Sequence, residues 1–119
     1  MNHTPITLTL PRDHGAPGRA RALLREHADG LDRDRLDTAV LLISELVTNA
    51  VLHGSGEIRL LIDVRGRGDA RFAVCDEGRG TPVVRPEPGP DGGWGLRLVG
   101  QLARRWGVRE GRTQVWFEL

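Results

Sequence analysis

The stretch Leu36–Gly54, LDTAVLLISELVTNAVLHG, decides the fold that this chain can adopt. Its apolar residues recur at intervals of three and four, the spacing of a helix face turned towards a core. These residues are Leu36, Ala39, Val40, Ile43, Leu46, Val47, Ala50 and Val51. Leu41, Leu42 and Leu52 extend the apolar character around much of the remaining circumference. The pattern therefore predicts a helix most of whose surface is covered.

Three polar side chains stand within this helix at intervals of four residues: Glu45, Asn49 and His53. Residues four apart on a helix lie one above the other, so the three form a single stripe. Burying an unpaired amide costs ~1–3 kcal/mol, and an unpaired charge costs more. Two interpretations stay open. Either the fold satisfies these groups internally, or the stripe bounds a ligand site.

Composition sets the class of protein. A chain of 119 residues, 28% charged and 39% hydrophobic, has the size and composition of one soluble globular domain, which we expect to span residues 1–119. The formal net charge of +1 argues against a nucleic-acid surface. We find no run of about 18 apolar residues and no signal peptide in the first residues. The single cysteine, Cys75, agrees with a reducing compartment. We therefore expect a cytoplasmic protein.

Further helices and strands follow from the apolar periodicity on either side of the long helix. We predict an edge strand at Thr4–Leu10, a helix at Pro17–Leu31 that Gly30 ends, strands at Glu57–Arg65 and Ala70–Asp76, a helix at Gly95–Trp106, and strands at Trp106–Glu110 and Thr113–Leu119. This order predicts an α+β fold of two layers, with about three helices on one face of a mixed, mostly antiparallel sheet. The loop from Gly78 to Gly93 is the region expected to move.

Strand parity points two more polar residues inward. Phe72 and Val74 share a face, and Asp76 is the next residue on that face. By the same count, Thr113 shares the inner face of the last strand. We therefore expect Glu45, Asn49, Asp76 and Thr113 to face the gap between the helices and the sheet. Four polar residues from three elements suggest a ligand slot there.

Two glycine-rich segments adjoin this slot. Asp76 would accept a hydrogen bond from an exocyclic amine, and Gly78 and Gly80 would let a flat ring approach the backbone. The segment Gly92–Gly95 opens a helix, and bare backbone N–H groups at a helix start suit a phosphate. Taken alone, each glycine pattern is a weak signal, because both occur in ordinary turns and helix starts.

The helical stripe supplies the remaining chemistry. Asn49 offers an oxygen to Mg²⁺, which keeps several waters and takes few protein ligands. Glu45, one turn earlier, is placed to act as a general base towards a nucleophile aimed at a terminal phosphate. The parts correspond to an adenine contact, a metal ligand, a phosphate contact and a base.

Four segments in this order resemble the conserved boxes of a known family. ELVTNAVLHG (45–54), DEGRG (76–80), GGWGLRLV (92–99) and GRTQVWFEL (111–119) look like the N, G1, G2 and C-terminal boxes of the Bergerat-fold (GHKL) ATPases, which share a histidine kinase-like ATPase domain. Within that superfamily the chain is most similar to the single-domain branch, the anti-sigma factor serine-protein kinases. The resemblance covers nearly the whole chain.

The resemblance implies a role for each matching residue. Glu45 would be the catalytic base, Asn49 the Mg²⁺ ligand and Asp76 the acceptor for the adenine amino group. Residues 81–94 would form the ATP lid. The remaining nucleotide contacts would be His53, Gly78, Gly80, Gly93, Gly95, Leu96 and Thr113.

The resemblance also implies an activity and partners. ATP with Mg²⁺ would donate its γ-phosphate to a serine of an anti-sigma factor antagonist, and the same protein would bind a sigma factor and form a homodimer. Relatives commonly carry a basic residue before the G2 glycines, where this chain has Asp91. Arg79 or Arg97 would have to substitute for it. The alternative function is therefore a non-catalytic, ATP-dependent switch that sequesters a transcriptional regulator. A purely structural interaction domain would leave the order of the four boxes unexplained.

Overall fold

Three helices lie on one face of a five-stranded sheet in the computed structural model, which describes residues 5–65, 69–78, 95–109 and 113–119. The elements are β1 (Ile6–Leu10), α1 (Ala16–His27), α2 (Arg33–His53), β2 (Ile58–Val64), β3 (Ala70–Cys75), α3 (Gly95–Leu102), β4 (Arg105–Arg109) and β5 (Gln114–Glu118). The strand order is β1-β2-β3-β5-β4, so β1 lies at an edge as predicted. The α+β prediction is confirmed. All pairings among these strands are antiparallel, so the sheet is not mixed.

The long helix α2 begins three residues before the predicted start. Asp32 is its N-cap, and the Asp32 carboxylate accepts a hydrogen bond of 2.7 Å from the backbone N–H of Arg35. Asp34 places a second negative charge in the first turn. Both groups stabilise the helix, because they face the unpaired N–H groups and the positive end of the helix dipole.

The core fills the space between α2 and the inner face of the sheet. Strand register aligns Leu60 with Val74 and Val115 in one row. The next row contains Ile62, Phe72 and Phe117, in which the two phenylalanine rings stack with centroids 5.2 Å apart. From α2 the buried residues are Ala39, Val40, Leu42, Ile43, Leu46, Val47 and Ala50. The inner faces that parity predicted for β2, β3 and β5 are therefore confirmed.

One side of α2 is exposed, contrary to the prediction that most of its surface is covered. Leu42 is buried, but Leu41 is 43% exposed and Leu52 is 50% exposed. At 3.6 residues per turn, positions eleven apart point within about 20° of each other, so these two leucines share the face opposite the core. In the described residues α2 is the one helix whose length and mean hydropathy, 1.3, would suit a membrane span. The core helix of a folded domain has the same composition, and the inward side of α2 is packed on the sheet.

The first helix is shorter at its C-terminal end than predicted. It ends at His27, and the N–H of Ala28 closes the last turn on the carbonyl of Leu24 at 2.9 Å. Gly30 therefore lies in the connection after α1, where it adopts a left-handed φ of 89°. A glycine suits this position because other residues rarely adopt that conformation.

Helix α3 is also shorter, ending at Leu102 and not at Trp106. Strand β4 begins at Arg105, and its Trp106 pairs with Phe117 of β5. The apolar spacing of this segment was compatible with a longer helix, and pairing at the edge of the sheet overrides it. The loop predicted to move lies, beyond Gly78, outside the described residues.

The cap at the start of α2 yields a stability prediction. Asp32→Ala removes the hydrogen bond to the Arg35 N–H, and we expect the free energy of unfolding to fall by about 1 kcal/mol. Denaturant unfolding monitored by circular dichroism measures the change. Asp37→Ala, at an exposed position further along the same helix, is the control and should change stability by less than about 0.5 kcal/mol. Equal effects from the two substitutions would show that Asp32 does not stabilise the helix as a cap.

Candidate functional site

A buried carboxylate lies at the point where β3 ends. Asp76 is 6% exposed, and its Oδ1 accepts a hydrogen bond of 2.6 Å from the N–H of Gly78. The N–H of Asp76 donates to the carbonyl of Thr113 at 3.0 Å, and the N–H of Thr113 donates to the carbonyl of Gly78 at 3.1 Å. These bonds fasten the end of β3 to the residue before β5. Together with Gly54 at the end of α2, we call these four residues the carboxylate corner.

Two glycines make room for the Asp76 carboxylate. A Cβ on Gly54 would overlap Oδ2 of Asp76 and would lie 2.7 Å from the carbonyl oxygen of Ala50. A Cβ on Gly78 would lie 2.7 Å from Oδ1 of Asp76 and 3.1 Å from Oγ1 of Thr113. Gly54 has a φ of −87°, which any residue can adopt, so the requirement there is space. Sequence reasoning included Gly78 among the site residues but missed Gly54. The available signal was its position directly after the helix that carries the polar stripe.

Within the described residues, the charge of Asp76 is not matched by an ion pair. No arginine or histidine in the described ranges forms a salt bridge with this carboxylate. A carboxylate removed from water needs hydrogen-bond donors to offset the cost of desolvation. The Gly78 amide is one such donor. A ligand that presents an N–H or O–H to the corner would supply another.

The three polar residues of α2 differ in exposure. Glu45 and Asn49 are half-buried and His53 is exposed. At about 100° per residue, Glu45 lies about 40° and Asn49 about 80° around the helix from the solvent-facing Leu41. By this geometry Asn49 lies at the margin of the core and Glu45 lies between that margin and the exposed side, and neither side chain points into the core. Each residue of the stripe lies about one turn further along α2 than the one before it. The stripe therefore ends at His53, next to Gly54, which contacts Asp76.

Glu45 and Asn49 keep their polar atoms available. Neither side chain forms a hydrogen bond or ion pair with the protein in the ranges that the structure describes. About 13 Å of helix separates Glu45 from Gly54, at 1.5 Å per residue. The polar atoms therefore form two groups, one at Glu45 and Asn49 and the other at the carboxylate corner. We call the line along α2 that joins the two groups the path.

The described residues of this path offer few ligands to a metal ion. The described residues contain no group of three or more histidine, cysteine, aspartate or glutamate side chains that could hold a metal ion. A cation held mainly by protein carboxylates is therefore not supported there. The Asn49 amide oxygen fits Mg²⁺, which usually takes one or two protein ligands and keeps its waters and phosphate ligands.

Several residues predicted to belong to the site lie wholly or partly outside the described residues. Gly80, Gly93 and the predicted lid at 81–94 lie outside the described residues. Gly95 and Leu96 begin α3, and the Leu96 side chain is likewise outside the description. Of the two arginines considered as phosphate contacts, Arg79 is not described. Arg97 is half-buried and already has an interaction partner.

A short loop after α2 is fastened to the residue next to Asp76. The N–H of Glu77 donates to the carbonyl of Ser55 at 2.8 Å, and the Glu77 carboxylate accepts from the N–H of Glu57 at 2.7 Å. Gly56 has a φ of +70°, and a Cβ there would overlap the Glu77 carboxylate. Sequence reasoning assigned no role to this loop, which holds the end of α2 against the carboxylate corner.

Comparison with known proteins places these elements in a family. The model of the histidine kinase-like ATPase domain matches residues 10–119, which contain the whole carboxylate corner. No curated protein matches the chain. The crystal structure of the RsbU and RsbW domains of Rv1364c from Mycobacterium tuberculosis is similar, with a TM-score of 0.72 and 29% sequence identity over 97% of this chain. This chain spans 31% of the length of that one.

A substitution that adds a Cβ at Gly54 tests whether the carboxylate corner requires a glycine there. We expect Gly54→Ala to lower the free energy of unfolding by about 1–3 kcal/mol, because the new methyl group meets the Asp76 carboxylate and, to a lesser extent, the Ala50 carbonyl oxygen. Denaturant unfolding measures the loss. Gly100→Ala is the matched control, since its Cβ would make ordinary contacts of 3.6 Å or more with Trp106. If the contact is with Asp76, the loss is smaller in an Asp76→Ala background, and an undiminished loss there contradicts this explanation.

Proposed function

The chain belongs to the histidine kinase-like ATPase domain family, and we propose that it binds ATP with Mg²⁺ and transfers the γ-phosphate to a serine of a protein partner. The carboxylate corner is the observation that carries this proposal. Adenine has an exocyclic amine that would donate to Asp76, and it is flat enough to approach a backbone that carries no Cβ at Gly78. A buried acceptor beside bare backbone therefore supports recognition of a purine base.

The polar margin of α2 supports the phosphate end of the ligand. With the base at the carboxylate corner, an extended triphosphate would run along the helix towards Asn49 and Glu45. Asn49 would hold Mg²⁺ through its amide oxygen. Bound Mg²⁺ would neutralise part of the phosphate charge. His53, at the end of this margin, would lie beside the nucleotide.

Glu45 is the proposed general base. Its carboxylate is half-buried and has no partner among the described residues, so it is available to accept the proton of a serine hydroxyl. Phosphoryl transfer depends mainly on positioning and on neutralising charge, so one base and one metal ligand are sufficient machinery. Gly80, Gly93, Gly95, Leu96 and a lid at 81–94 would complete the nucleotide site, with Thr113 supporting its base end.

The partners follow from the resemblance of the four boxes. We propose that the serine belongs to an anti-sigma factor antagonist, and that the protein binds a sigma factor when the antagonist is absent. Similarity to a structure containing an RsbW domain supports this assignment. We further propose that residues 1–119 act as one domain, as a homodimer, in the cytoplasm.

Asp76→Asn tests recognition of the base. Replacing one carboxylate oxygen by an amide removes an acceptor and a charge, so we expect ATP to bind about tenfold or more weakly, a loss of ~1.4 kcal/mol or more. Isothermal titration calorimetry measures the affinity. Asp37→Asn, on an exposed part of α2, serves as the control and should bind ATP as the wild type does. Unchanged affinity in Asp76→Asn would remove this residue from the site.

Glu45→Gln tests the chemical step. We expect ATP affinity to be retained and phosphoryl transfer to fall by about 10²–10⁴, the contribution typical of a general base. Labelled ATP, the protein and the cognate antagonist give the rate of phosphoserine formation. Transfer at the wild-type rate by this variant would show that Glu45 is not the base.

One observation favours the alternative of a non-catalytic switch. The chain has Asp91 where relatives carry a basic residue before the G2 glycines, and Arg97 is half-buried and already engaged. A wild-type protein that binds ATP but phosphorylates no antagonist would support this function. The protein would then bind its partner in a nucleotide-dependent way without transferring a phosphate to it.

A further inference from the structure

Arg12 reaches from the end of β1 to the end of α2. Its Nη1 donates to the carbonyl of Ala50 and, at 3.2 Å, to the carbonyl of Val51. Its Nε donates to the carbonyl of Gly56 at 2.9 Å. The Ala50 carbonyl also accepts from the N–H of Gly54 at 3.0 Å. The last carbonyls of a helix otherwise lack partners within the helix, and a positive charge is favourable there. One guanidinium therefore fixes both the last turn of α2 and the loop that follows it.

The same loop continues to the carboxylate corner. Gly56, which Arg12 holds, lies directly against the carboxylate of Glu77. The N–H of Glu77 is in turn bonded to Ser55. Asp76 is the residue before Glu77, and its carboxylate touches Gly54 at the end of the helix. Arg12 thus contacts both segments that set the position of the backbone around Asp76.

We infer that Arg12 is a positioning residue for the nucleotide site, which it does not touch. It sets the separation between the end of α2 and the end of β3, and through it the position of the Asp76 carboxylate. This inference rests on the proposed function. Arg12 lies outside all four sequence boxes, and it comes from the opposite end of the chain to the box that contains Thr113.

The bonding of Arg12 suits a residue that fixes geometry more than one that stabilises the fold. Its Nη2 is buried and finds no hydrogen-bond partner within the described part of the chain. Desolvating a charge with an unsatisfied donor offsets much of what its other hydrogen bonds contribute. Removing the guanidinium should therefore loosen the loop and the helix end while changing global stability little.

The test compares Arg12→Gln with a matched arginine on α1. Arg21 donates to the Ser44 hydroxyl at 2.7 Å and so ties α1 to the same helix, far from its C-terminal end. In the protein without nucleotide, we expect Arg12→Gln to speed hydrogen exchange of the Glu57, Glu77 and Gly78 amides by about tenfold. We expect Arg21→Gln to leave these amides unchanged. Exchange at wild-type rates in Arg12→Gln would overturn the inference.

Affinity gives the second readout. We expect Arg12→Gln to weaken ATP and ADP by the same factor, about five- to tenfold, because the base end of the site is displaced. Arg12→Lys, which keeps a charged donor, should restore part of the loss, and Arg21→Gln should bind as the wild type does. A loss confined to ATP, or an equal loss in Arg21→Gln, would contradict positioning at the base end.

A double substitution tests whether Arg12 acts through Asp76. In an Asp76→Asn background, Arg12→Gln should weaken binding by less than it does alone, because its effect depends on the carboxylate it positions. Full additivity would overturn the inference. If the wild-type protein binds no adenine nucleotide, the proposed function fails. The exchange rates then still decide whether Arg12 orders the carboxylate corner.

Discussion

The hydrogen bond of 2.6 Å between the Gly78 amide and the Asp76 carboxylate joins a buried charge to the backbone of a residue that has no side chain. Charge-assisted bonds of this kind are short and strong, but a single one leaves most of the carboxylate lone pairs without a donor. The fold keeps this group in place by contact with Gly54 on its other side. A ligand that donates hydrogen bonds can therefore bind without displacing a competing cation among the described residues.

Helix α2 carries both core residues and the residues of the proposed ligand site. Its inward residues, centred on Ile43 and Val47, are buried against the sheet and account for the stability of the two-layer fold. Glu45 and Asn49 lie to one side of this stripe, where polar atoms can meet a ligand at little cost of burial. A site built on a packed helix is held more rigidly than one built on a loop. The exposed Leu41 and Leu52 lie on the side opposite the core, next to Glu45.

Local periodicity predicted the parts of the molecule that depend on local geometry. Alternation in β3 correctly predicted that Asp76 is buried, because each successive strand residue changes face. The prediction that Leu41 and Leu52 are covered was wrong, because the apolar character of a helix residue does not specify whether a neighbouring element will cover it. Periodicity also failed at the end of α3, where pairing of Trp106 with β5 determines the boundary.

Gly54 and Arg12 illustrate what local patterns cannot predict. Gly54 is required by the carboxylate of a residue two strands later in the chain, and Arg12 bonds to a carbonyl 44 residues away. Neither contact leaves a periodic trace in the sequence. The four boxes add information that periodicity lacks for the segments they contain, which include Gly54 but not Arg12.

The carboxylate corner is assembled from segments that lie far apart in the chain, and this links its order to the folding of the whole domain. The end of α2, the end of β3 and the residue before β5 meet there, and the end of β1 is bonded to the last turn of α2 and to the loop after it, so displacing any of these four segments would disturb the corner. A ligand bound at the corner stabilises only the assembled state, by ~2.7 kcal/mol at a hundred times its dissociation constant. Binding must therefore raise the stability of the sheet and of α2 together. For the same reason, a substitution that loosens any of the four segments would weaken the proposed binding even where it touches no ligand atom.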